Sequence, residues 1–251
     1  KTIYNLYNID FMSRLLLVRH GQSIWNSENR FTGWVDVLLS KQGENEAQKS
    51  GILLKELKIK LDFFYTSYLK RAINTLEIIL KEIDLEKHTY IKAWELNERH
   101  YGSLTGLNKD EVKKKLGDEL FKKYRRSWDV VPPPQDQNSE NEKLYSSLNK
   151  NIDQSLVPNT ESLKDTFNRV VPYFEKQIKP HLLNNKNVII AAHGNSLRAL
   201  CKKLFNVSDQ KINEVEIPTG NPLIVEFDQE LKIKNINYLD KTREKTIITN
   251  Q

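Results

Sequence analysis

Two stretches of this sequence place a histidine where it could act on a charged group. The apolar run over 14–18 stops at Arg19-His20-Gly21, and the run over 188–192 stops at His193-Gly194-Asn195-Ser196. Short, nearly continuous apolar runs that end in polar loops are how buried parallel strands read in a sequence. Ligands of open parallel sheets sit beyond the carboxyl ends of the strands, so both histidines could face one crevice. One histidine beside apolar residues is more often structural than catalytic, and a lone Arg-His-Gly tripeptide says little. Two matched units of strand, histidine and glycine say much more.

Arg19 directly precedes His20, and its permanent charge and planar donor fork suit phosphate. A neutral imidazole attacks phosphorus when one ring nitrogen is held by a hydrogen bond and the other is free. His20 is therefore the candidate nucleophile, and His193 the candidate donor to the equatorial oxygens of a phosphoryl transition state. Neither role needs a metal. The glycine after each histidine lets backbone amides approach an anion, while Ser23 and Ser196 are equally well explained as helix caps. Neither glycine segment completes a G-x-S-x-G elbow, and there is no P-loop and no H-E-x-x-H. A metal site assembled from His20, Glu98, His100 and His193 is a minor alternative.

The elements that must position these residues follow from pattern. Helical periodicity covers 40–57 and 69–83, strand patterns cover 61–66 and 89–93, and a helix over 160–183 contains Pro172, where a kink is expected. Ser40 and Thr160 read as N-caps. The turn Pro218-Thr219-Gly220-Asn221-Pro222 feeds a final strand pair near 223–227 and 232–238. Such alternation describes an α/β fold, a mostly parallel central sheet with helices on both faces. Residues 131–158, opening with three consecutive prolines, read as a long excursion from that sheet. One domain is expected over 14–240, with a flexible leader over 1–13 and a frayed polar tail over 241–251. Met12, the only methionine, stands directly before the first apolar run, so 1–11 are expected to be an upstream or added leader.

Composition narrows the class. Of 251 residues, 38% are hydrophobic and 29% charged, and no apolar run approaches the ~20 residues that would span a bilayer. The formal charge of +6 comes from basic residues interleaved with acidic ones, not gathered into a tract, which reads as a solvated surface and not as a nucleic-acid or membrane site. Cys201 is the only cysteine and can form no internal disulfide, which fits a reducing, cytosolic compartment.

Several blocks together resemble one family. Leu16-Leu17-Val18-Arg19-His20-Gly21-Gln22-Ser23-Ile24-Trp25-Asn26 and Asn29-Arg30-Phe31-Thr32-Gly33-Trp34 are similar to the opening of the cofactor-dependent phosphoglycerate mutases of the histidine phosphatase superfamily. The resemblance continues through Tyr65-Thr66-Ser67, Lys70-Arg71-Ala72, Leu96-Asn97-Glu98-Arg99-His100-Tyr101-Gly102, Tyr124-Arg125-Arg126, Ala192-His193-Gly194-Asn195-Ser196 and Ile217-Pro218-Thr219-Gly220. It implies that His20 is the phosphorylated nucleophile, that Arg19, Arg71 and His193 complete the phosphate pocket, and that Glu98 carries the proton. It further implies that Ser23, Asn26, Thr32, Gly33, Tyr101, Lys109, Arg125, Arg126, Gly194 and Asn195 bind substrate.

The implied reaction interconverts 3-phosphoglycerate and 2-phosphoglycerate, with 2,3-bisphosphoglycerate as phosphoryl primer and no metal. The implied assembly is a homodimer or homotetramer, and the excursion and tail are expected to act as lids against water. Leu38, where the family carries an acidic residue or proline, and the loosely matching 135–157 are departures. A bisphosphoglycerate mutase or a histidine phosphatase on the same scaffold is the alternative within the family, and a non-catalytic phospho-ligand module is the alternative outside catalysis.

Overall fold

The computed structural model describes residues 13–136 and 152–249. Six strands form one sheet: β1 (Ser13–Arg19), β2 (Phe63–Thr66), β3 (Ile91–Lys92), β4 (Val188–Ala192), β5 (Leu223–Phe227) and β6 (Ile233–Tyr238). Their order is β3-β2-β4-β1-β5-β6. The first four are mutually parallel, β5 runs antiparallel to β1, and β6 runs antiparallel to β5. β1 and β4 lie side by side in register, Leu15 opposite Val188 and Arg19 opposite Ala192. His20 and His193 therefore leave the sheet at the same edge.

The helices are α1 (Ile24–Ser27), α2 (Lys41–Glu56), α3 (Lys70–Glu82), α4 (Lys109–Leu116), α5 (Asp118–Arg126), α6 (Leu163–Tyr173), α7 (Lys179–Leu183) and α8 (Gly194–Leu204). Alternation along β1 explains its unbroken apolar run. Leu15 and Leu17 join a core with Val170 of α6 and Leu197 and Leu200 of α8, whereas Leu16 and Val18 join a second core with Leu54 of α2 and Leu76 and Ile79 of α3. Both faces of the strand are covered, so neither tolerates a polar residue. Each of these four fully buried side chains contributes about 1.5–3 kcal/mol of burial energy, which makes the strand end a rigid mount for His20.

Several local expectations need correction. Ser162, not Thr160, caps α6: its hydroxyl accepts from the amide of Asp165, whose carboxylate accepts in return from the Ser162 amide. The Thr160 hydroxyl donates instead to the Pro132 carbonyl. The long helix does not simply bend at Pro172. Its α pattern ends at Tyr173, a π turn follows over Phe174–Ile178, and α7 resumes with Pro180 in its first turn. Proline removes an amide donor and crowds the carbonyl one turn back, and a wider turn relieves that conflict. β1 begins at Ser13, inside the segment read as leader, and Ser13 is buried.

Residues 241–249 are docked against the body, not frayed. Arg243 donates to the carbonyls of Thr219 and Gly220, and Ile247 and Ile248 pack on the larger core. Of the excursion, 137–151 lies outside the described residues. Its near end is tied by the Pro133 carbonyl, which accepts from Ser103, and its far end by Ile152, buried against Trp34 and Val35. Among the described residues no helix is long and apolar enough to cross a membrane.

Candidate active site

His20 is the first residue past β1, and its amide donates to the Ala192 carbonyl across the gap to β4. Its Nδ1 lies 2.6 Å from the Gly21 carbonyl, which can only accept, so Nδ1 carries the ring proton. Nε2 is left with its lone pair and receives Nε–H of Arg71 over 3.3 Å, a long and weak contact. Burial above all, then the guanidinium groups of Arg71 and Arg19, holds the imidazole well below its ordinary pKa, against an opposing pull from the Gly21 carbonyl. A neutral ring with one nitrogen tied and the other open is the form that attacks phosphorus.

The loop after His20 is fixed by close packing. A β-carbon on Gly21 would collide with the carbonyl of Gly43, and one on Gly43 with the carbonyl of Gln22. The Gln22 carbonyl accepts from the Ser40 amide, and the Gln22 amide donates to Glu46, so the first turns of α2 grip this loop. The Gly21 amide itself is not offered to an anion, because it donates to Thr75 Oγ1 on α3. Gly21 is glycine for the sake of helix contact.

His193 stands under His20, ring centroids 4.9 Å apart and planes at 61°. Its Nε2 lies 2.7 Å from the Ser67 hydroxyl, and its Nδ1 is buried with no hydrogen-bond partner among the described residues. Burial first, then Arg71 and the His20 ring, depresses its pKa well below the ordinary value. His193 is itself the N-cap residue of α8, and Ser196, in the first turn, accepts from the His193 amide.

Glu98 comes from the loop after β3. Its Oε1 accepts from the amides of Arg99 and Asn195 at 2.8 and 3.1 Å, leaving Oε2 open to the cleft beside Gly194. Its own carbonyl accepts from Trp34 Nε1 and Arg169 Nη2. Arg169 also donates to the carbonyls of Glu95 and Asn97 and pairs with the buried carboxylate of Glu161. This one guanidinium clamps the whole loop that carries Glu98.

Arg19, His20, Asn26, Thr32, Gly33, Arg71, Glu98, Tyr101, Lys109, Arg125, Arg126, Gly194 and Asn195 line a single cleft. Ser23 and His193 are not among the lining residues; both are fully buried, and the Ser23 hydroxyl accepts from the Asn26 amide as the cap of α1. Sequence reasoning did not single out Arg30, Phe31, Arg198, Glu216 and Ile217, which line the same cleft. Arg198 lies two residues past the quoted block around His193, and a helical arginine carries no sign of facing inward. Among the described residues no cluster of histidine, cysteine or carboxylate could hold a metal ion. His100, one member of the alternative metal set, already accepts the Gly102 amide on Nδ1.

The model of the histidine phosphatase superfamily (branch 1) matches residues 15–237. The chain belongs to that superfamily. A 2,3-bisphosphoglycerate-dependent phosphoglycerate mutase of Pelagibacter ubique is 52% identical over 94% of this chain and 99% of its own length. The enzyme of the same name from Nautilia profundicola is 50% identical over 91% of this chain and all of its own. Among solved structures, a phosphoglycerate mutase from Bacillus anthracis superposes with a TM-score of 0.63 at 20% identity, covering 88% of this chain and 91% of that one. A mycobacterial glucosyl-3-phosphoglycerate phosphatase gives 0.63 at 18% identity, covering 90% and 96%. These two likenesses show the shared fold.

In this member of the superfamily, seven cationic side chains and two carboxylates line the cleft, a field that draws in polyanions. Crowding shifts the pKa values of these groups. Lys109 is lowered by burial and by Arg125 and Arg19, and Arg198 is pushed down to about 9, first by burial and then by Arg126 and Arg99. Burial alone would raise the Tyr101 phenol, but Arg99, whose guanidinium lies 4.5 Å from the ring centre, and Lys109 outweigh it and leave it lowered. Asn195 donates to the Tyr101 oxygen and accepts from Arg198, so its side-chain amide has one orientation.

Proposed function

We propose that this chain interconverts 3-phosphoglycerate and 2-phosphoglycerate through phosphorylated His20. The observation that carries the reading is a neutral, buried imidazole with Nδ1 tied to a carbonyl and Nε2 open toward Arg71, at the floor of a strongly cationic cleft. The substrate is supported by relatives at half identity, spanning nine-tenths of the chain, that bear the mutase name.

Nε2 of His20 attacks phosphorus in line while Nδ1–H stays on the Gly21 carbonyl, which steadies the positive charge the ring acquires. Arg71 Nε–H, only weakly held by Nε2, then turns to a phosphoryl oxygen. Arg19 adds a second guanidinium, and its buried Nε has no hydrogen-bond partner among the described residues. Glu98 Oε2 protonates the departing alkoxide and, in the reverse step, takes the proton from the attacking hydroxyl. Arg125 and Arg126, in the last turn of α5 where the helix dipole favours cations, hold the carboxylate or distal phosphate of the glycerate. Thr32, whose buried hydroxyl has no partner among the described residues, Asn26, Gly33, Tyr101, Lys109, Gly194 and Asn195 complete the contacts.

A bisphosphate fits this cleft, whose cations outnumber its carboxylates and leave polar atoms unpaired for it. When bound, 2,3-bisphosphoglycerate supplies the phosphoryl group that primes His20. The test is conversion of 3-phosphoglycerate with and without added bisphosphoglycerate, together with acid-labile labelling of the protein. Priming dependence and a label lost in His20→Ala are expected. Release of inorganic phosphate without a primer would instead identify a phosphatase, and a labelled, active His20→Ala protein would remove His20 from the reaction.

A further inference from the structure

Ser67 follows β2 directly, is fully buried, and makes two contacts through its hydroxyl. Oγ accepts the Leu69 amide at 3.1 Å and lies 2.7 Å from His193 Nε2. The hydroxyl hydrogen needs an acceptor, since a buried polar hydrogen without one costs about 1–3 kcal/mol. Among the described residues, His193 Nε2 is the acceptor it touches. The Leu69 amide orients the hydroxyl, and the hydroxyl donates to Nε2. A neutral imidazole has one ring proton, so this fixes it on Nδ1.

That nitrogen makes no hydrogen bond among the described residues, although the Ser196 amide in the first turn of α8 is directed toward the ring. Its ring meets His20 edge to face at 4.9 Å between centroids, where a phosphoryl group on His20 brings oxygen acceptors. We propose that Ser67 is a positioning residue that holds His193 in the Nδ1–H tautomer and thereby supplies a fixed donor to the phosphoryl group in transit. This rests on the phosphotransfer reading above. As the bond from phosphorus to His20 Nε2 forms, the ester P–O bond breaks and its electron pair leaves with the oxygen, which is protonated by Glu98. Nδ1–H of His193 donates to an equatorial oxygen throughout and keeps its proton. In the opposite tautomer a lone pair would face those oxygens and the donor would become a repulsion.

The experiment combines long-range proton–nitrogen correlation spectra of histidine-labelled protein with rapid-quench measurement of His20 phosphorylation by 2,3-bisphosphoglycerate, in the unaltered protein and in S67A. The unaltered protein should show His193 protonated on Nδ1. In S67A both tautomers become populated, and His20 phosphorylation slows with KM unchanged. The histidine of a serine protease held in the wrong tautomer loses about 10⁴ in kcat; with both forms accessible, a loss on the order of 10- to 100-fold is expected. His193 protonated on Nε2 in the unaltered protein overturns the inference without recourse to any variant. So does a tautomer shift in S67A with no change in rate, or a slower rate with the tautomer intact. If the unaltered protein takes no label on His20, the phosphotransfer reading itself fails. If it labels normally and one of the three earlier results appears, only the role of Ser67 fails.

Discussion

Arg71 directs its Nε–H at Nε2 of His20 from 3.3 Å while its terminal nitrogens donate to the carbonyls of Val35 and Gly33 at 2.8 and 2.7 Å. The guanidinium is thus aimed by the backbone after β1, and it is 1% exposed. A lysine at this position keeps the charge, but its donors radiate from one nitrogen and cannot match the planar fork that serves three separate sites. Arg71→Lys should lower kcat by about 10²–10³, the usual effect of losing one preorganised donor, with a smaller change in KM. Steady-state rates at saturating substrate check this, and a kcat equal to that of the unaltered enzyme would reduce Arg71 to a structural brace.

Glu98 divides its two oxygens between tasks. Oε1 is held by two backbone amides, and Oε2 faces Gly194 across the cleft. Glu98→Gln keeps a carbonyl for those amides and replaces the second oxygen with a group that cannot take up a proton. Loss of a positioned general acid–base typically costs 10²–10⁴, so kcat should fall by about that factor. KM and the melting temperature should hold. A parallel fall in stability would mean that the substitution had disturbed the loop and not the proton transfer.

Much of the mount was legible in the sequence, and much of what aims the side chains was not. The runs ending at His20 and His193 stood out because each strand is covered on both faces, and Ser40 stood out because its cap contact is local. Ser162 was missed although Ser162 and Asp165 have capping-box spacing; Thr160, two residues earlier, offered the same hydroxyl, and only the Pro132 carbonyl settles its different use. Ser67 gave no signal, because its partner lies 126 positions away. Arg169 reads as one more charge on an amphipathic helix. Its acceptors are carbonyls, and carbonyls carry no sequence identity. Ser23 looked like a ligand contact for the converse reason, since a cap and a ligand contact ask for the same hydroxyl.

Acid should destabilise the fold through His100. Burial, and then Arg169, pushes this imidazole from 6.5 down to about 4. Between those values the unfolded chain binds the proton and the folded one does not, so stability falls as pH drops through that window and is unaffected by this residue above it. Full protonation of the unfolded form is worth on the order of 3 kcal/mol. His20 and His193, both depressed, act with the same sign. Asparagine can accept the Gly102 amide that now reaches His100 Nδ1 and cannot titrate. Urea unfolding from pH 7 to 4 should therefore show a shallower loss in His100→Asn, and equal slopes would contradict the assignment.

Arg169 joins stability to catalysis. Its ion pair with Glu161 is nearly dry, with side chains 8% and 4% exposed, and its other donors hold the carbonyls of Glu95, Asn97 and Glu98. Arg169→Met removes the cation and strands a buried carboxylate, a change that costs about 3–5 kcal/mol in comparable buried pairs. Pairing it with Glu161→Met removes the stranded charge and should recover a good part of that loss, since apolar replacement of both partners is often close to neutral. The double variant still lacks the contacts that Arg169 makes to the carbonyls of Glu95, Asn97 and Glu98. Its stability should therefore approach that of the unaltered protein while kcat stays depressed, because the Glu98 carbonyl then has only Trp34 to hold it. Recovery of both would show that Arg169 serves the fold alone, and recovery of neither would show that the loop cannot form without it.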